Sequence, residues 1–120
     1  MIFKPELIEK ILTGEKTVTR RLRGPIQKSP GRQAGYLDTV QSSRFAASVA
    51  TIRYVSVERE RLGRLTPDEV RREGFDSFPE FVAFWESVYG EYSPLQWVQR
   101  IEFELVEVVA HSQQEEATNE

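Results

Sequence analysis

A chain of 120 residues with no cysteine, one histidine and a formal net charge of −3 has room for one domain around one core. It excludes a disulfide framework and a thiolate zinc site. Its single histidine, His111, lies near a polar C-terminus, which argues against a histidine-rich metal centre and against a Ser-His-Asp triad. No apolar run approaches the roughly 18 residues of a membrane span and no signal-peptide pattern opens the chain, so a soluble, cytoplasmic protein with no membrane partner is expected.

In chain order, Pro5 suits the first turn of a helix, where its missing N–H goes unused. Leu7, Ile8, Ile11 and Leu12 then recur at helical spacing, Glu6 and Lys10 form an i,i+4 pair on the other side, and Gly14 ends the segment. Residues 17–23 read as a short strand of Thr, Val, Arg and Leu. Gly24-Pro25 and the cluster Lys28-Ser29-Pro30-Gly31-Arg32 break it, so residues 24–32 are expected to form a mobile basic loop. Residues 36–41 form a short strand candidate, Ser42-Ser43 a turn, and residues 45–57 a β-branched central strand. Thr66-Pro67-Asp68-Glu69 carries an N-cap Thr, Pro at the first helical position and Glu at the third, the signature of a capping box. That helix runs to about Glu73 and stops at Gly74. Ser77-Phe78-Pro79-Glu80 repeats the logic for a helix that bears Phe81, Val82, Phe84, Trp85, Val88 and Tyr89 and ends at Gly90; its helical spacing assigns most of these aromatics to the core. In the last segment, residues 97–108, Ile101, Phe103 and Leu105 alternate with Arg100, Glu102 and Glu104, the pattern of a half-buried strand. Residues 109–120 are polar and expected to fray. The order of elements predicts an α+β domain: a small mixed β-barrel of five or six strands with flanking helices.

Charge is uneven along this chain. Lys16, Arg20, Arg21, Arg23, Lys28 and Arg32 fall within residues 16–32 with no acid among them, while the second half is acid-rich. The stretch Gly14-Glu15-Lys16-Thr17-Val18-Thr19-Arg20-Arg21 follows directly on a helix. It is either a site for an anionic or strongly polar ligand or a helix C-cap followed by a solvated edge strand. The low overall charge argues against tight non-specific DNA binding and leaves a small site for a nucleoside or single-stranded RNA.

Phe3-Lys4-Pro5 followed by Ile11-Leu12-Thr13-Gly14-Glu15-Lys16-Thr17-Val18-Thr19-Arg20-Arg21 resembles the signature of the ASCH domain, a branch of the PUA-like superfamily: a helix ending in Gly-x-Lys-x-x-Thr-x-Arg. A second block, Leu62 through Ser77 with Glu73-Gly74-Phe75 at its centre, then Phe81 and Trp85, is similar to the family as well, and so is the closing Ile101-Glu102-Phe103-Glu104-Leu105. The resemblance covers roughly residues 2–106, within an expected ASCH domain at residues 1–108. It implies a PUA-like barrel with a cleft at the first motif and an RNA-related function. One branch removes the acetyl group from N4-acetylcytidine with a Lys and a Thr from the first motif and a Glu from the second, which match Lys16, Thr19 and Glu73 here. Another branch is described as ribonucleases.

Two main readings follow. In the first, the cleft binds single-stranded RNA or a modified nucleoside, with Lys16, Arg20, Arg21 and Arg23 towards phosphate and Tyr36 or Trp97 stacking on a base. In the second, the chain is a metal-independent amidohydrolase in which Thr19 is the nucleophile, Lys16 its base and Glu73 the proton donor; a ribonuclease is the weaker third. No cofactor and no metal are expected. On an ideal strand Lys16 and Thr19 would point to opposite faces, so they converge only if Lys16 still belongs to the turn after Gly14.

Overall fold

The computed structural model describes residues 1–22 and 33–109. Arg23, the basic loop expected at 24–32 and all of the expected tail except Val109 lie outside them. The described chain forms α1 (Pro5–Thr13), β1 (Val18–Arg21), β2 (Leu37–Val40), β3 (Ala50–Arg61), a 3-10 turn (Leu62–Arg64), α2 (Pro67–Arg72), α3 (Phe78–Tyr89) and β4 (Trp97–Val108).

Each helix starts and stops where its sequence dictates. Pro5 sits in the first turn of α1, and Gly14, at φ 87°, closes it by donating its N–H to the Ile11 carbonyl. Leu7, Ile8 and Ile11 turn inward. Thr66 and Ser77 cap α2 and α3 by accepting the backbone N–H of Glu69 (3.1 Å) and Glu80 (3.4 Å). Neither box is reciprocal. The Glu80 carboxylate accepts the N–H of Asp76 rather than that of Ser77, and the Glu69 carboxylate leaves the cap to meet three arginines.

The four described strands make one antiparallel sheet in the order β1-β4-β3-β2. Its centre is the long β3–β4 ladder, from Ala50 opposite Val108 to Arg61 opposite Trp97, with irregularities between Thr51 and Ile52 and between Tyr54 and Ser56. The expected mixed barrel of five or six strands is thus a four-stranded, antiparallel, open sheet among the described residues. Its one parallel element is an isolated bridge between Ile2 and Gln41. There Phe3 N–H donates to the Gln41 carbonyl and Gln41 N–H to the Met1 carbonyl, while the Arg21 guanidinium donates to the Ile2 carbonyl at 2.9 Å. Residues 1–3 therefore run between the two sheet edges and touch both without forming a strand.

The strand expected at 45–57 begins only at Ala50 and continues to Arg61. Gln41 explains the shift. Its side-chain amide donates to the carbonyl of Ala46 at 2.9 Å, with longer contacts to those of Ser43 and Arg44, and so holds a turn where a strand was expected. A polar side chain that satisfies several carbonyls competes directly with a ladder. The strand expected at 17–23 is described as Val18–Arg21.

Two apolar clusters fill the interior. One lies between α1 and the sheet, with Phe3, Leu7, Ile11, Ile52, Tyr54, Ile101 and Phe103. The other lies under α2 and α3, with Leu62, Val70, Phe81, Trp85 and Val98. Phe75 packs against both. No helix among the described residues is long and apolar enough to cross a membrane.

Candidate functional site

The first motif forms where α1, β1 and the end of α2 meet. Gly14 turns the chain, Lys16 N–H donates to the Lys10 carbonyl at 3.0 Å, and Thr17 N–H donates to the Arg72 carbonyl at 2.9 Å. Lys16 thus still belongs to the turn, and β1 begins at Val18. This is the condition under which Lys16 and Thr19 can converge, and they do: both line one cavity of about 250 Å3.

Lys16 is 2 % exposed and Glu73 is 2 % exposed. The Lys16 ammonium donates to the Val18 carbonyl (2.7 Å), the Glu73 carbonyl (2.7 Å) and Glu73 Oε1 (3.3 Å). Three acceptors match the three N–H groups of an ammonium. The Glu73 carbonyl lies at the C-terminal end of α2, where the helix dipole favours a cation. Burial pushes the Lys16 pKa down; the Glu73 carboxylate opposes that shift, and Arg21 and Arg20 add to it.

Gly74 makes this approach feasible. It takes φ 102°, and a Cβ there would lie 3.3 Å from Leu7 and 3.5 Å from the Lys16 side chain. Its carbonyl accepts the Lys10 ammonium at 2.7 Å.

Arg20 is 4 % exposed. Its guanidinium donates to Glu60 Oε2 and Glu73 Oε2, each at 2.9 Å, and to Glu69 Oε1. The Arg20 pKa is raised: burial works against the charge, and Glu73, Glu69 and Glu60 outweigh it. Glu69 also accepts Arg100 in bidentate fashion (2.7 and 3.1 Å) and Arg72 (3.2 Å). The hydrogen bonds from Arg100, opposed by partial burial and aided by Arg20, hold the Glu69 carboxyl at about 2. A chain of alternating charges, Lys16, Glu73, Arg20, Glu69, Arg100, therefore runs beneath the cavity.

Thr19 is 5 % exposed, and its hydroxyl accepts Arg21 Nε at 3.2 Å. Arg21 packs on the Phe3 ring, 4.8 Å from its centroid. Lys16, Thr19, Arg20 and Arg21 form the polar side of the cavity, and Phe3, Leu7, Phe84, Val88 and Tyr89 its apolar side. A larger cavity of about 570 Å3 adjoins it, sharing Ile2, Arg21 and Tyr89 and reaching Asp38 and Thr39 on β2.

Not every residue singled out from the sequence arrives here. Glu73 touches Lys16 and Arg20 but does not line the cavity; it stands behind them. Arg20, expected to face phosphate, directs its donors at three carboxylates. Tyr36 packs on Tyr54 at 5.3 Å on the β2 side of the sheet, and Trp97 begins β4 between Arg59 and Arg61; neither lines the cavity. Arg23 lies outside the described residues. Sequence reasoning missed Glu69 and Arg100. Glu69 was absorbed by the capping signature, and Arg100 by the outward phase of β4. The usable signal was that Glu69 and Glu73 are one helical turn apart and so share a face of α2.

Among the described residues no group of three or more His, Cys, Asp or Glu side chains is arranged to hold a metal ion. The molecule is thus a small α+β domain in which an open antiparallel sheet and two helix ends enclose a cavity with a buried ion network behind it. Searches against models of protein families and against curated protein sequences find no match. Solved structures do match. A protein of the family DUF984 from Enterococcus faecalis V583 superposes with a TM-score of 0.67 at 21% identity, over 88% of this chain and 72% of that one. An ASCH domain from Lactobacillus crispatus JV V101 gives 0.61 at 19% identity, over 84% and 70%. The ASCH protein of Zymomonas mobilis gives 0.58 at 16% identity, over 100% and 78%. The chain has the ASCH-domain fold, as its motifs predict.

Proposed function

We propose that this protein binds a nucleoside, free or carried in single-stranded RNA, in the cavity at Lys16 and Thr19. One observation carries the reading. A single small cavity, with the positive charge of Lys16 at its edge, sets hydrogen-bonding groups on Thr19 and Arg21 against the rings of Phe3, Phe84 and Tyr89. A flat, polar-edged base needs both, an aromatic or apolar surface for its face and placed donors and acceptors for its edge.

The contact between Lys16 and Glu73 favours a second reading, amide hydrolysis of an N4-acylated cytidine. Nucleophile, base and an orienting third group form a familiar catalytic arrangement. Thr19 would attack the acyl carbon as its proton passes to a neutral Lys16 amine. The carbon–nitrogen bond then breaks as the cytosine nitrogen takes that proton from Lys16, and water cleaves the Thr19 ester to release the acid and restore the hydroxyl. Burial lowers the Lys16 pKa, which favours the neutral amine, and its 3.3 Å contact to Glu73 Oε1 is the longest of its three. Glu73, behind Lys16, then acts through the lysine as a positioning residue.

The test is a titration of cytidine and of N4-acetylcytidine, read by thermal shift and by the change in absorbance on deacetylation. Binding of either nucleoside, weakened about tenfold or more by Thr19→Val, supports the cavity reading; turnover lost in the same variant adds the second. A wild-type protein that neither binds nor cleaves them sinks both.

A further inference from the structure

The sheet face that carries Thr19 and Arg21 continues beyond the cavity. Thr19 pairs with Ile101 and Arg21 with Gln99; across β4, Ile101 pairs with Val57 and Gln99 with Arg59, and Trp97 pairs with Arg61. Paired residues share a face of a sheet and alternate residues along a strand return to it. The β3–β4 register is unbroken from Ser56 to Arg61. Thr19, Arg21, Arg59, Arg61 and Trp97 therefore lie on one face. Arg20, Arg100 and Glu58 form the adjacent row on the opposite face, where the buried ion network runs.

The outer end of this face has an unusual composition. Trp97 is 41 % exposed, with the Arg59 and Arg61 guanidinium carbons 4.7 and 4.5 Å from its ring centroid. Arg61 also donates to the Leu95 carbonyl at 2.7 Å, which fixes its side chain along the sheet. Neither guanidinium has a carboxylate partner among the described residues, whereas Arg20, Arg53, Arg72 and Arg100 all do. Two positive charges are thus held against an indole with no carboxylate among the described residues to answer them, in a protein that is otherwise acidic.

We propose that the Arg59–Trp97–Arg61 cluster is a second nucleic-acid contact, and that the ligand of the cavity is a nucleotide within a single strand which continues along this face. The inference rests on the cavity reading above. Four residues of β4 separate Ile101 from Trp97, about 13 Å at about 3.3 Å per residue. That is the length of a few stacked nucleotides at about 3.4 Å per step. An indole and guanidinium planes offer stacking surfaces for bases, and the same guanidiniums meet phosphates. An acidic peptide would answer the charge, its carboxylates pairing with the guanidinium forks, but would bring no bases to stack on the planar groups.

The experiment titrates a 5′-labelled oligocytidylate of about eight nucleotides, within the usual site sizes for single strands, into the full chain at several salt concentrations. Cytidine alone is titrated in parallel. For the wild type, oligonucleotide affinity should exceed that of cytidine and fall steadily with salt. The double variant R59S/R61S should lose about tenfold or more at low salt, and its slope of log affinity against log salt should be shallower by about 1.4, two phosphates at about 0.7 each. Trp97→Leu should lose about tenfold with its slope retained. R59K/R61K should recover the slope without the full affinity, because an ammonium keeps the charge and lacks the plane. Cytidine affinity should be the same in all of them. An unchanged affinity and slope in R59S/R61S overturns the proposal. So does a wild type that binds cytidine and no oligonucleotide, an outcome that spares the cavity reading, and so does polyglutamate binding as tightly as the oligonucleotide. Oligonucleotide binding that depends on Trp97 and Arg59 without any cytidine binding supports the second contact and discards the cavity.

Discussion

Lys16, Glu73, Arg20, Glu69 and Arg100 hold one another in a space where none could stand alone, because an unpaired charge out of water costs several kcal/mol. Glu73 matters most, since it answers both Lys16 and Arg20. Glu73→Gln keeps the shape and removes the charge, so it should destabilise the protein by about 3 kcal/mol, the lower end of the range for breaking a buried pair. Urea unfolding measures this, and a loss below about 1 kcal/mol, the scale of a surface pair, would show that the network contributes little. Glu69 gives the network its pH dependence. Arg100 first, then Arg20, hold its carboxyl at about 2, against an ordinary value of 4.5. The folded state therefore binds fewer protons there than the unfolded state, and the stabilisation is complete above about pH 4.5 and lost as pH falls towards 2. Acid unfolding should be steep in that window, and Glu69→Gln should flatten it. The sequence disclosed Lys16 and Thr19, because Gly14 marks the turn that lets them converge. It hid the commitment of Arg20, since a run of cations shows nothing of the acids that meet it from α2 and β3.

At the scale of the element, α2 is six residues long and yet carries Glu69, with Glu73 at its end. Helices this short are marginal without tertiary support, so the start of α2 bears on the site. Thr66→Ala removes the acceptor of the Glu69 N–H and should cost about 1 kcal/mol, the usual worth of an N-cap. Hydrogen exchange should quicken at Val70 and Glu73, whose N–H groups bond within the helix. Unchanged protection there would mean that the arginines pinning Glu69, rather than the cap, hold the helix. The capping signatures and the glycine stop of α1 were legible because they are local chemistry. The start of β3 was not, because Gln41 chooses turn over strand through bonds to Ser43, Arg44 and Ala46. The pattern of β4 misled at Arg100, which lies in the outward phase but is covered by α2 and bonded to Glu69.

At the scale of the whole molecule, the fold was legible as motif order and its closure was not. Whether strands close into a barrel depends on pairing between distant edges, and among the described residues the contacts of residues 1–3, the Ile2–Gln41 bridge and the Arg21 bond to Ile2 among them, span those edges without a strand ladder. The two apolar clusters meet at Phe75, whose ring lies 5.8 Å from Phe81 and 5.1 Å from Phe84. Phe75 follows Glu73-Gly74, so the residue that joins the clusters is also the one that anchors the end of α2 beside Lys16. Phe75→Ala should cost about 3 kcal/mol, the low end for a Phe truncation because the ring is only partly buried. It should also uncouple the clusters. Near-ultraviolet dichroism, read in a Trp97→Leu background that leaves Trp85 as the one tryptophan, reports chiefly on the cluster of Trp85, and far-ultraviolet dichroism follows the secondary structure as a whole. With Phe75 intact the two unfolding curves should coincide, as for a cooperative single domain. In Phe75→Ala they should separate, with the Trp85 signal lost at lower denaturant, and the affinity for any cavity ligand should fall with it. Coincident curves in the variant, merely shifted together, would show that the ion network alone suffices to couple the two halves.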